Sequence, residues 1–116
     1  MSVLLKTRRL DDIVILDLSG RITIGEGTLT VREALQELLR AGDRKFLVNL
    51  AGVDYIDSSG LGELVTLFTT IRHQADGQVK LLNLTKRIRD LLQITKLLTV
   101  FEAFDNETEA LKSMRH

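Results

Sequence analysis

The chain has 116 residues and no cysteine. A disulfide framework and a thiolate metal site are therefore excluded, and a reducing, intracellular setting is the expectation. There is no surplus charge of either sign: 16 Lys and Arg stand against 16 Asp and Glu. A chain without a net field has nothing with which to attract phosphate in bulk. Direct nucleic-acid binding and adhesion to an acidic membrane surface are not expected on that ground, although local patches stay open. No apolar run approaches the ~20 residues needed to cross a bilayer, so membrane insertion is not expected. The opening segment "MSVLLKTRRL" has too short an apolar stretch for a signal peptide. A cytoplasmic protein is expected, and the Asn-x-Thr sequons at Asn83 and Asn106 are read as chance. Histidine is scarce too, at two residues, His73 and His116.

What is present suits one compact domain over residues 1–116, with 44% hydrophobic residues to build a core. "SVLLKTRR" and "DIVILDLSG" read as strands joined by a tight Asp11-Asp12 turn, hence a hairpin. The unbroken run Ile13 to Leu16 predicts a strand covered on both faces, ended by Gly20. Residues 21–29 read as an irregular loop. A helix is expected from Thr30, with Thr30 and Glu33 as a capping box, Val31, Leu35, Leu38 and Leu39 on one face, and Gly42 as its left-handed stop. "KFLVNL" is a buried strand and "AGVDYID" a loop. A long helix runs from Ser58 to about Ala75, with Leu61, Leu64, Val65, Phe68 and Ile71 on one stripe and Gly77 as its stop. "QVKLLNL" is a strand, "TKRIRDLLQI" a short helix capped by Thr85, and "DNETEALKSM" a last helix with Asn106 and Glu109 in capping-box spacing. "LLTVFEAF" is ambiguous between a helix tail and a short strand at 99–101. Strand–helix–strand units imply parallel pairing with right-handed crossovers, and the opening hairpin adds an antiparallel edge. The expectation is an α/β fold with a mixed sheet and helices on one or both faces.

The residues that could carry chemistry do not assemble into a catalytic set. A nucleophile elbow needs Gly-x-Ser-x-Gly. Ile56 precedes Ser58 by two positions and Asp57 precedes Ser59 by two, so the first glycine is missing. The only internal histidine, His73, lies about 20 Å along the same helix from Ser58 at 1.5 Å per residue. No phosphate-binding glycine motif occurs, and the Gly25/Gly27 pair reads as loop flexibility. Asp54 and Asp57 are three apart with no histidine nearby, so no metal site is expected. Asp11-Asp12 imitates the acidic pair of a phospho-aspartate receiver, but sits in a hairpin turn rather than at the end of a parallel strand.

The serine pair in "IDSSGLGEL" remains. Asp57, Ser58 and Ser59 can each satisfy free amides at a helix start. A phosphate there would also be tolerated by those amides and by the positive end of the helix dipole, and with Asp57 it would form a dense negative patch able to repel a partner.

"VNLAGVDYIDSSGLGEL" resembles the signature of STAS domains, and among them the bacterial anti-sigma factor antagonists. The pattern Asp-Ser-Ser/Thr-Gly-Leu-Gly, after a buried strand and before a long helix, is met by Asp57, Ser58, Ser59, Gly60, Leu61 and Gly62. "LSGRIT" and "VKLLNLTKRIRDLLQITKL" extend the resemblance over nearly the whole chain. Two departures stand out. Thr95 and Lys96 replace the small residue and glycine that many members carry before the last strand, so Lys96 would pay roughly 1 kcal/mol for a left-handed conformation. The "TIGEG" loop also differs from those of better-known members.

The resemblance implies a STAS fold: a mixed four- to five-stranded sheet with an opening antiparallel hairpin, parallel crossovers and about four helices. It implies a non-enzymatic antagonist without a cofactor. Unphosphorylated, it binds an anti-sigma factor that is also a serine kinase, and so frees the sigma factor. Phosphorylation of Ser58 abolishes binding, and a metal-dependent serine phosphatase reverses it. Asp57 is expected to shape and cap the turn, and Ser59 to support it by hydrogen bonding. Gly60 and Gly62 would allow either close approach by the kinase or tight helix packing. Arg21 to Gly27 and Asn83 to Lys86 would flank the site, with Arg21, Thr23, Gly25, Glu26, Asn83, Thr85 and Lys86 as partner contacts. Other members attach to anion transporters, serve lipid-transport ATPases or assemble into stress-sensing particles, and these readings stay open.

Overall fold

The computed structural model describes residues 3–74, 76–97 and 101–115. The elements are β1 (Val3–Leu10), β2 (Ile13–Ile22), α1 (Glu26–Arg40), β3 (Lys45–Ile56), α2 (Ser58–Gln74), β4 (Gln78–Leu82), α3 (Lys86–Ile94), β5 (Ala103–Phe104) and α4 (Glu107–Met114). The five strands lie side by side in chain order. β1 and β2 pair antiparallel, with Leu10 opposite Ile13 across the Asp11-Asp12 turn. β2, β3, β4 and β5 are mutually parallel.

Chain order explains the layering. Each parallel crossover adds its strand in the same direction, so a constant crossover hand puts every connecting helix on one face. That face holds the larger core. Val14 and Leu16 of β2, Phe46 and Val48 of β3, and Val79 and Leu81 of β4 pack there against Val31 and Leu35 of α1, Leu64 and Phe68 of α2, and Ile88 and Leu92 of α3. The alternate residues Ile13, Ile15, Leu47 and Leu82 face the other way, where Ala110, Leu111 and Met114 of α4 cover them. Ile13 to Leu16 are thus buried on both sides of the sheet.

A polar chain crosses the sheet beside α4. Asp17 accepts from Arg8 Nε at 2.6 Å and from Asn49 Nδ2 at 2.8 Å, while Asn49 Oδ1 accepts from Asn83 Nδ2 at 3.2 Å. Arg8 also grips Glu107 of α4 through both Nη atoms, at 3.1 and 2.7 Å. β1 is an edge strand, and Lys6, Arg8 and Arg9 stand exposed along it, the charged pattern that discourages a further strand from adding.

Several boundaries differ from the sequence expectation. β2 does not stop at Gly20, and "AGVDYI" is strand rather than loop. Arg21 pairs with Tyr55 and Ile22 with Ile56, beyond two register shifts in which β3 carries the extra residue. These bulges break the period-2 pattern that identifies a strand. α1 starts four residues early, at Glu26. Its cap is Gly25, whose N–H donates to Thr28 Oγ1 at 3.2 Å, while Thr30 Oγ1 donates to the Glu26 carbonyl instead of capping. Asp76 (φ 54°), not Gly77, takes the left-handed position after α2. The short strand is Ala103–Phe104; of the expected 99–101, residues 99 and 100 lie outside the described residues and Phe101 is not in a strand. Thr85 and Asn106 cap α3 and α4 as expected.

α1 and α3 end in the same hydrogen-bonded closure. After α1, Gly42 N–H donates to Leu39 O and Asp43 N–H to Leu38 O; after α3, Lys96 N–H donates to Gln93 O and Leu97 N–H to Leu92 O. The left-handed residue is Gly42 (φ 101°) in one and Lys96 (φ 62°) in the other. Replacing Lys96 by glycine is expected to raise unfolding stability by about 1 kcal/mol, read as a higher urea midpoint at unchanged slope. A second expectation concerns acid. Arg8, aided by Asn49 and opposed by burial, holds the Asp17 carboxyl below the usual carboxylate range. A depressed folded value contributes stability that is full above about pH 4 and is lost as pH falls through it. Asp17→Asn should therefore lower the melting temperature at neutral pH, and flatten its further decline on acidification.

Candidate functional site

The C-terminal ends of β2 and β3 and the start of α2 meet at "IDSSGLGEL". β3 ends at Ile56 and α2 begins at Ser58, so the turn has a single residue, Asp57. Its Oδ1 accepts from Gly60 N–H at 2.7 Å and its carbonyl from Leu61 N–H at 2.9 Å. This is a side-chain cap on the third helical amide. Ser58 and Ser59 are both exposed, and neither hydroxyl hydrogen-bonds to a described residue. The hydrogen bond that shapes this turn among the described residues is the one from Gly60 N–H to Asp57, and Ser59 contributes none there.

The two glycines divide. Gly60 is buried against the end of β2, where a Cβ would stand 2.8 Å from Ile22 O and 3.2 Å from Asp57 Oδ1. The close approach here is intramolecular. Gly62 is exposed with open space around it. Leu61 faces the core, 6% exposed.

The loop before α1 does come to the site. A Cβ on Gly27 would stand 3.3 Å from Ile22 Cα, so α1 and α2 both begin on the backbone of Ile22. Arg21 and Glu26 are exposed there; Thr23 is half-buried, and its carbonyl accepts from Thr28 N–H. The second expected segment is mostly used internally. Asn83 binds Asn49 on the α4 face, the Thr85 hydroxyl accepts from Ile88 N–H, and Lys86 pairs with Asp90 at 2.9 Å. The residue of α3 that reaches the site is its neighbour Arg87, whose Nε donates to Ile56 O at 3.0 Å. Tyr55 was also missed: the Arg21 and Arg87 guanidiniums lie 4.4 and 5.5 Å from its ring centroid. As the chain's one tyrosine, set just before the serine motif, it carried the available signal. Ile24 and Leu29 stand exposed on the loop and on the first turns of α1.

Among the described residues no three His, Cys, Asp or Glu side chains gather where they could hold a metal ion. No described helix is long and apolar enough to cross a membrane. His73 lies exposed at the far end of α2 from Ser58.

The glycines make a paired expectation. Gly60→Ala should destabilise the domain by about 1–3 kcal/mol, since the methyl meets backbone rather than a movable side chain. Gly62→Ala should be neutral or stabilise by up to about 1 kcal/mol, the helix-propensity gain at an open position. Chemical denaturation of both variants tests the contrast.

Comparison with known proteins agrees with this architecture. Residues 5–110 match the STAS domain family. A protein of Thermotoga neapolitana named a "putative anti-sigma factor antagonist" is 29% identical over 105 residues, covering 90% of this chain and 92% of its own. The crystal structure of a protein of the same description from Thermotoga maritima superposes with a TM-score of 0.85 at 26% identity, covering 97% of this chain and 95% of that one. The phosphorylated form of the Bacillus cell fate determinant SpoIIAA superposes with a TM-score of 0.74, covering 97% and 100%, at 19% identity, which shows a shared fold. The chain belongs to the STAS domain family.

Proposed function

We propose that this protein is an anti-sigma factor antagonist whose binding is switched at Ser58. The unphosphorylated form binds an anti-sigma factor that is also a serine kinase, and the sigma factor is released. Transfer of the ATP γ-phosphoryl group to Ser58 Oγ forms an O–P bond, releases ADP and sends the hydroxyl proton to solvent or to a base of the kinase. Binding is then lost until a metal-dependent serine phosphatase hydrolyses the ester.

The observation that carries the reading is the division of labour at the start of α2. Asp57 makes the cap, which leaves the Ser58 and Ser59 hydroxyls exposed and bonded to no described residue, and the resemblance to the STAS signature picks the first of the two, Ser58. A phosphate of charge about −1.5 to −2 can be added there without dismantling the turn. Gly62, Ile24 and Leu29 supply open and apolar surface on the same side of the molecule as the two helix starts. The names of the Thermotoga relatives support the antagonist assignment.

The wild-type chain, Ser58→Ala and Ser58→Asp are to be incubated with the serine-kinase anti-sigma factor of the same organism and ATP, with the phosphate located by mass spectrometry and binding measured by calorimetry. Wild type should carry phosphate on Ser58 and Ser58→Ala none. Ser58→Asp should bind at least about tenfold more weakly, a loss of about 1.4 kcal/mol. Label on Ser59 alone, or no label at all, would sink the assignment.

A further inference from the structure

Tyr55 carries two guanidinium groups on one ring. Arg21 stands opposite it in the β2–β3 register, 4.4 Å from the ring centroid; Arg87 reaches over from α3 to 5.5 Å. Both arginines are exposed. Among the described residues neither makes an ion pair with a carboxylate, whereas Arg8, Arg9, Arg32 and Arg89 each do. Arg87 is fixed by a single Nε bond to the carbonyl of Ile56, which leaves its Nη donors unused. Stacking on an aromatic face orients a guanidinium plane without consuming its N–H fork. Two like charges sharing one ring repel each other, and a dianion between or beside them relieves that repulsion while accepting bidentate hydrogen bonds.

Their placement selects the anion. Arg87 is tied to the carbonyl two residues before Ser58. Arg21 precedes Ile22, whose carbonyl packs on Gly60 in the first turn of α2. The pair therefore gathers at the end of β2 and β3, one residue of chain before α2 begins at Ser58. We infer that Arg21 and Arg87 form the receiving pair for a phosphate on Ser58, with Tyr55 as the platform that holds them ready before it arrives. This rests on the reading of Ser58 as the acceptor. Its consequence for the switch is that the mark does more than add charge: it draws Arg21 and Arg87 inward and rebuilds the surface offered to the partner.

The test uses the full chain with phosphoserine placed at position 58 during translation, so that no kinase is required. The second ionisation of the phosphate, ordinarily near pH 6, is followed by phosphorus NMR. Nearby cations favour the dianion, so the wild-type phosphate should titrate about one unit below that of the Arg21→Gln/Arg87→Gln double variant, with each single variant between. The amides of α2 and the neighbouring Glu26, Asp54, Asp57 and Lys86 are common to all these proteins and cancel in the difference. Arg89→Gln, on the same helix but paired with Asp105, should leave the titration unchanged. Circular dichroism checks folding, and if the double variant does not fold, the two single variants carry the comparison. An identical phosphate titration with and without Arg21 and Arg87 would overturn the inference. A kinase that fails to label Ser58 while the arginine-dependent shift is present would overturn the acceptor reading alone; labelling without the shift would overturn the receiving pair alone.

Discussion

The arrangement around Ser58 depends on how two helices are allowed to start against one residue of backbone. Ile22 closes β2, and both Gly27 of α1 and Gly60 of α2 press onto its backbone, Gly60 at a distance that leaves no room for a side chain and Gly27 at one that leaves very little. Ile22 in turn is held by its pairing with Ile56, which sits beyond the two bulges of β3. Without those extra residues the strand ends would not carry the chain to this point, and Asp57 could not bridge from sheet to helix in a single step. The site is thus built on main-chain contacts, which are stiff, and offers side chains outward from them.

The sheet behind it is divided by use. The face toward α1, α2 and α3 is apolar where β2, β3 and β4 pack on the helices, while the opposite face is covered by α4 around Ile13, Ile15, Leu47 and Leu82. The polar chain from Glu107 through Arg8, Asp17 and Asn49 to Asn83 marks the border of that covered area. Arg21 and Tyr55 lie beyond it, toward the strand ends. A hydrogen-bonded border lets a small domain leave part of a sheet face to solvent without exposing its core, since each buried side-chain polar atom among the described residues has its partner.

Much of this was legible from local pattern. The Ile13 to Leu16 run, the helical stripe from Leu61 to Ile71, and the caps Thr85 and Asn106 follow from periodicity and capping chemistry within a few residues, and all stand as expected. What could not be seen depended on pairing between distant segments. "AGVDYI" looks like a loop because its bulges are defined only by the β2 residues opposite. The helix cap at Gly25 is invisible because glycine has no capping side chain, and Thr30-x-x-Glu33 offered a better local pattern. At the candidate site the motif was plain, but its neighbours were not. Lys86 and Arg87 are adjacent and chemically alike in sequence, and only the packing of α3 decides that Arg87 turns toward Ile56 while Lys86 turns to Asp90.

The cap at Asp57 has a consequence for how such a protein can vary over time. In many helices the residue that invites modification is also the one that starts the helix, so losing it damages both. Here the fold draws on a carboxylate, and the neighbouring hydroxyl is structurally idle. A lineage that replaced Ser58 would keep a folded domain at every step. The side chain at position 58 is therefore free to drift independently of the cap on which the start of α2 stands.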